Sequence, residues 1–112
     1  MSKRDPELLL EDVSISIEKI ERYINSLTMD NFKVDDKTVD AVVRNLEIIG
    51  EAVRQIPSAF KEKHSNVLWN QIAGLRNRIV HDYFGLDLEM IWHIVTSDLP
   101  ELKSRILEIT AR

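Results

Sequence analysis

Apolar residues return along this chain with a period that a helix supplies. Leu10, Val13, Ile17, Ile20, Ile24 and Leu27 are spaced alternately three and four apart, which lays one apolar seam along a helix of about five turns. Asp5-Pro6 precedes it as an N-cap followed by proline at the first helical position. Val39, Val42, Leu46, Ile49, Val53 and Ile56 repeat the rhythm, with Asp35 or Asp36 available as the cap and Pro57 closing the seam. Between the two seams, Thr28 to Lys33 reads as a turn.

Pro57 to His64 reads as a short helix or turn, and Ser65-Asn66 offers caps for a third long helix carrying Trp69, Ile72, Leu75 and Ile79. Gly85 breaks that helix and Asp87 caps a fourth. Its seam is Leu88, Ile91, Val95, Leu99, Leu102, Ile106 and Ile109, with Pro100 marking a kink or a brief restart. No segment alternates convincingly with period two, so strands are not expected. Matched seams joined by short loops predict an all-α fold, an up-down four-helix bundle with a short extra helix or turn. Ile48, Ala52, Met90 and Ile94 lie beside the main stripes. They either broaden the core face or form a second buried face shared with another copy of the chain.

Composition narrows the class. The 112 residues fit a single domain spanning 1–112, and 44% hydrophobic with 30% charged residues suits a soluble globular protein. The apolar runs fall far short of the roughly 20 residues that span a bilayer, and the N-terminus lacks a signal-peptide core. No membrane partner is expected, and a cytoplasmic location is the default. The absence of cysteine excludes disulfides and thiolate metal sites. A net charge of −4 counts against a nucleic-acid partner, but from Arg54 to His81 five cations stand against Glu62 alone. That locally basic strip is compatible with a small RNA footprint and equally with an acidic partner.

Candidate chemistry is confined to one stretch, Gly74 to Phe84, which sets Arg76, Asn77, His81 and Tyr83 within eight residues. An acid–base imidazole near a permanent cation is what a phosphodiester-cleaving site requires. On a regular helix Arg76 shares an apolar arc with Tyr83, and His81 shares a polar stripe with Asn77, about 140° away from the arginine. A single straight helix therefore converges them poorly. The helix can end before His81, or two protomers can pool their residues. An arginine in an apolar arc needs a partner, and Glu47 and Glu51 on the second helix are the nearest candidates. No metal site is expected: Glu89 and His93 have helical ligand spacing but lack a third ligand. Taken alone, Arg76 and His81 read most simply as an ion-paired arginine and a surface imidazole.

The segment Arg76-Asn77, three residues, His81-Asp82-Tyr83 resembles the R-N-x-x-x-H-x-Y signature of HEPN-domain proteins, specifically the HepT-like toxins of toxin–antitoxin pairs. The likeness extends to Trp69-Asn70-Gln71-Ile72-Ala73-Gly74, to Asp87-Leu88-Glu89-Met90-Ile91-Trp92 and to Leu46-Glu47-Ile48-Ile49-Gly50-Glu51-Ala52. The resemblance implies a HEPN-like bundle acting as a metal-independent endoribonuclease without cofactor. It implies a homodimer with both motifs lining a cleft at the two-fold axis. His81 would be general acid or base, its ordinary pKa near 6.5 suiting neutral pH. Arg76 would neutralise charge on the phosphoryl oxygens, and Asn77 would orient the phosphate or the imidazole. The family partner is a minimal nucleotidyltransferase antitoxin that transfers AMP to the motif tyrosine, here Tyr83. The alternative is a non-catalytic helical module that docks a nucleotidyltransferase or a nucleotide.

Overall fold

A computed structural model describes residues 4–81 and 85–111, and of His81 the backbone alone. Two long helices, α1 (Pro6–Ile24) and α3 (Asp36–Gln55), form one side of an all-α bundle and make its most extensive contact. The other side consists of two runs of shorter pieces. One is α5 (Trp69–Ala73) followed by α6 (Leu75–Ile79). The other is α7 (Leu88–His93), a π-helical turn (Ile94–Asp98) and α8 (Leu99–Thr110). The small helices α2 (Met29–Lys33) and α4 (Ser58–Lys63) fill the connections.

The seams become the core. All six seam positions from Val39 on α3 to Ile56 just after it are buried, and Leu10, Val13, Ile17 and Ile20 meet them from α1. Trp69, Ile72, Leu75 and Ile79 close one side, while Ile91, Val95, Leu99, Leu102 and Ile106 close the other. Three caps act as the sequence suggests, by accepting a hydrogen bond from a free amide of the first helical turn. Asp5 accepts from the Glu7 amide at 2.8 Å, Asp35 from Thr38 at 3.1 Å and Asp87 from Met90 at 3.0 Å. The Thr38 hydroxyl also donates to Asp35 at 2.7 Å, and these bonds hold the Asp35 carboxyl below its ordinary pKa.

Several local expectations are corrected. Thr28 to Lys33 is not a turn but α2, because Thr28 caps it and Phe32 inserts fully into the core, 5.3 Å from the Trp92 ring. Ser65 and Asn66 do not cap the third helix, which begins only at Trp69. The Trp69 indole N–H sets that start by donating to the carbonyls of Lys61 and His64. The helix then breaks at Gly74, which ends α5 and begins α6. After Ile79 the chain leaves helix altogether. Val80–His81 and Gly85–Leu86 form a two-residue antiparallel ladder, β1 and β2, pairing Val80 with Leu86 and His81 with Gly85. No sequence alternation announced it, since two residues cannot show a period. Gly85 has φ +81°, a left-handed conformation that costs glycine little.

Pro100 interrupts its helix as anticipated, in the form of the π turn. Pro100 has no N–H for the carbonyl of Thr96, and its ring crowds that oxygen. The Leu99 amide reaches instead to Ile94, five residues back. Of the residues beside the main stripes, Ala52 and Ile94 are core and Met90 packs against it, whereas Ile48 keeps 37% of its surface exposed. No helix among the described residues is long and apolar enough to cross a membrane.

Candidate active site

The α6 helix places the two described site side chains. Leu75 and Ile79 are its buried positions. Measured from them at 100° per residue, Arg76 falls on one flank and Arg78 on the other, about 200° apart. Arg76 and Asn77 are both exposed. The expected apolar arc for Arg76 does not exist, because the break at Gly74 resets the helical register inherited from Ile72. An exposed guanidinium needs no buried counterion, and Arg76 makes no ion pair with any described residue.

Arg76 instead stands on the wall of an open cavity of about 470 Å³, between α3, the start of α1 and the α5–α6 junction. Arg44, Glu47, Ile48, Glu51 and Arg54 line it from α3. The two glutamates expected near Arg76 thus face the same space. Glu51 is bonded to Arg54 at 3.3 Å. Arg44 is exposed and, like Arg76, has no ion pair with a described residue. The cavity therefore presents two guanidinium groups that no described residue pairs, which suits an anionic ligand.

His81 lies beyond the end of α6, in β1, so the chain changes direction between the arginine and the histidine. That satisfies one of the conditions for convergence, a helix ending before the histidine. The imidazole itself and Tyr83 lie outside the described residues. Of the other histidines, His64 stacks on Phe60 at 4.6 Å, and His93 stands 3.7 Å from Asp98. Among the described residues no group of three or more histidine or acidic side chains could hold a metal ion.

One arrangement escaped the sequence reading. Arg78, between the motif arginine and histidine, turns inward and pairs with Asp98 of the π turn at 3.0 Å. Its position, about 60° from Leu75 on the helix, was the available signal.

Comparison with known proteins follows the same lines. The family model described as Ribonuclease HepT-like matches residues 13–109. A Thermococcus cleftensis protein named "Probable ribonuclease HepT" is 41% identical over 103 residues, covering 92% of this chain and 94% of its own. A protein of Caldanaerobacter subterraneus subsp. tengcongensis, named as a candidate RNase, is 38% identical over 106 residues, 95% of each chain. A longer protein of Methanocaldococcus jannaschii, whose name joins a gamma-glutamylcyclotransferase with a candidate RNase, is 39% identical over 107 residues. This chain covers 48% of that relative's length. No solved structure matches the chain significantly.

Proposed function

The chain belongs to the HepT-like ribonuclease family, and from that premise we propose that it is the endoribonuclease toxin of a toxin–antitoxin pair. The observation that carries the reading is Arg76, an arginine of the family signature that is exposed, without an ion pair among the described residues and set on an open cavity. A guanidinium that served only the fold would be expected to have a counterion.

The reaction is transesterification. The RNA 2′-hydroxyl attacks its own 3′-phosphate, a 2′,3′-cyclic phosphate forms, and the 5′-oxygen of the next nucleotide leaves with a proton. His81 takes the proton from the nucleophile or gives one to the leaving oxygen, a role worth about 10²–10⁴-fold. Arg76 binds the phosphoryl oxygens as their charge grows, and Asn77 orients the phosphate or the imidazole. None of these steps calls for a metal ion. Two copies of the chain pool their motifs in one cleft. The exposed Ile48 among the charged residues of the cavity wall supports that arrangement, since apolar surface of this kind is covered on association.

Control comes from a minimal nucleotidyltransferase antitoxin that adds AMP to Tyr83. The transferred phosphate is an anion placed two residues from His81, where it competes with the RNA phosphate. The acidic net charge of −4 favours a second reading, a helical module that binds the transferase without cutting RNA. Purified protein incubated with RNA in EDTA separates the two. The nuclease cuts, and His81→Ala abolishes cutting while leaving the molecular mass in solution unchanged. Intact RNA with the wild-type chain supports the binding module, and cutting that EDTA abolishes contradicts metal independence.

A further inference from the structure

The five residues of α6 are too few to hold a helix by backbone bonding alone. Its N-terminal residue Gly74 offers no side-chain cap, and only Leu75 and Ile79 are buried. Those two lie about 40° apart around the axis, nearly in one row. A row of contacts leaves the helix free to roll about it. The side chain that opposes rolling is Arg78. Its Nη2 is 3.0 Å from Oδ2 of Asp98 and 3.8 Å from the sulfur of Met90. Both members of the ion pair are about three-quarters buried, with 27% and 26% of their side chains exposed. The carboxylate end is itself fixed, since Asp98 closes the π turn whose backbone is imposed by Pro100.

Among the described residues the guanidinium is not fully satisfied. Its Nη1 is buried and has no hydrogen-bond partner among the described residues. An ion pair that leaves a buried donor unmatched contributes little net stability compared with an apolar pair of the same shape. What it supplies is one defined orientation. That orientation is passed on at the next residue, where the Ile79 carbonyl accepts the Asp87 amide at 2.7 Å and closes the base of the β1–β2 hairpin.

We propose that Arg78, held by Asp98, is the positioning residue that sets the rotation of α6 and the seat of the hairpin. It thereby sets how Arg76 and His81 stand relative to each other. The inference rests on the catalytic reading of those two residues. It assigns Arg78 no contact with RNA.

The test uses the full chain with a single-stranded oligoribonucleotide and three variants, Arg78→Met, Arg78→Lys and Asp98→Asn. Three quantities are read: thermal unfolding, amide hydrogen exchange at His81, Gly85 and Asp87, and single-turnover cleavage with its substrate dependence. Arg78→Met keeps the apolar stem and is expected to stay folded. Its cleavage rate should fall about 10²-fold with KM within about threefold, as a small misplacement of reacting groups does. Exchange should rise at those three amides and not in α1 or α3, and Arg78→Lys should recover part of both losses. If Arg78→Met does not fold, Asp98→Asn carries the same expectations. Wild-type cleavage together with wild-type hairpin protection overturns the proposal. So does a loss of protection spread evenly over the chain, which marks Arg78 as a general support of the fold. Should the wild-type chain leave RNA uncut, the catalytic reading fails separately. The hairpin exchange of Arg78→Met then decides alone whether the positioning contact exists.

Discussion

Arg76 and Arg78 stand two residues apart on one short helix and face opposite environments. Arg76 is exposed on a cavity wall with no ion pair to a described residue, and Arg78 is drawn inward to Asp98 at 3.0 Å. Replacing Arg76 should therefore separate chemistry from stability. Arg76→Ala is expected to lower RNA cleavage by about 10²–10³-fold, the effect of removing a group that stabilises developing charge. The unfolding free energy from denaturant titration should change by no more than about 0.5 kcal/mol, as for other exposed positions. A variant that still cuts at the wild-type rate would remove Arg76 from the mechanism.

Tyr83 carries the regulatory part of the reading. Incubated with its cognate nucleotidyltransferase and ATP, the chain should gain the mass of one or more AMP units, measured on the intact protein. Modified protein should lose RNA cleavage. Tyr83→Phe should gain no mass and should remain active in the presence of the transferase. Modification of the Phe variant would move the acceptor elsewhere.

Gly85 is held at φ +81° opposite His81 in the ladder, and among the described residues a Cβ added there would meet no atom within 4 Å. The cost of Gly85→Ala is thus backbone strain without a clash, about 1–2 kcal/mol. Chemical denaturation should show that loss. Activity should fall too, since the strained residue pairs directly with His81. Unchanged stability would mean that the left-handed backbone at Gly85 is not required by the fold.

Asp35 gives the fold a defined acid dependence. The hydroxyl and amide of Thr38 hold its carboxyl below the ordinary value of 3.8. A carboxyl whose pKa is depressed by folding contributes stability that is fully present above the unfolded value. The contribution is lost as pH falls through the folded one. Asp35→Ala should accordingly lower the melting temperature at pH 7. The gap between variant and wild type should close as pH is lowered below about 4. A gap that persists unchanged at pH 2 would show that the cap does not act through its charge.

Much of the architecture was legible because α3 leads a fully buried seam and α1 buries most of its own, and a seam of six residues leaves a clear period. What escaped was short or depended on distant partners. The five residues of α2 carry too little periodicity to read, and their helix depends on Phe32 meeting Trp92, sixty positions away. The start of α5 is set by the Trp69 indole and the carbonyls of Lys61 and His64, a bond that no local pattern encodes. At the site, proximity of Arg76 and Asn77 followed directly from their adjacency. The error over the exposure of Arg76 came from extending one helical register through Gly74. The inward turn of Arg78 depends on a carboxylate twenty residues away, in a helix distorted by proline.

The widened turn at Ile94–Asp98 has a consequence for length variation in this chain. A π turn holds one residue more than the α ladder it replaces, and the wide turn absorbs that residue, so the helix on either side of it keeps one phase. Ile91 and Val95 therefore share a buried side with Leu99, Leu102 and Ile106. A regular α segment has no such slack. Removing one residue from the middle of α8 would swing everything beyond it by about 100° and carry Ile106 out of the interior. A single-codon deletion should therefore be better tolerated within the widened turn than in α8.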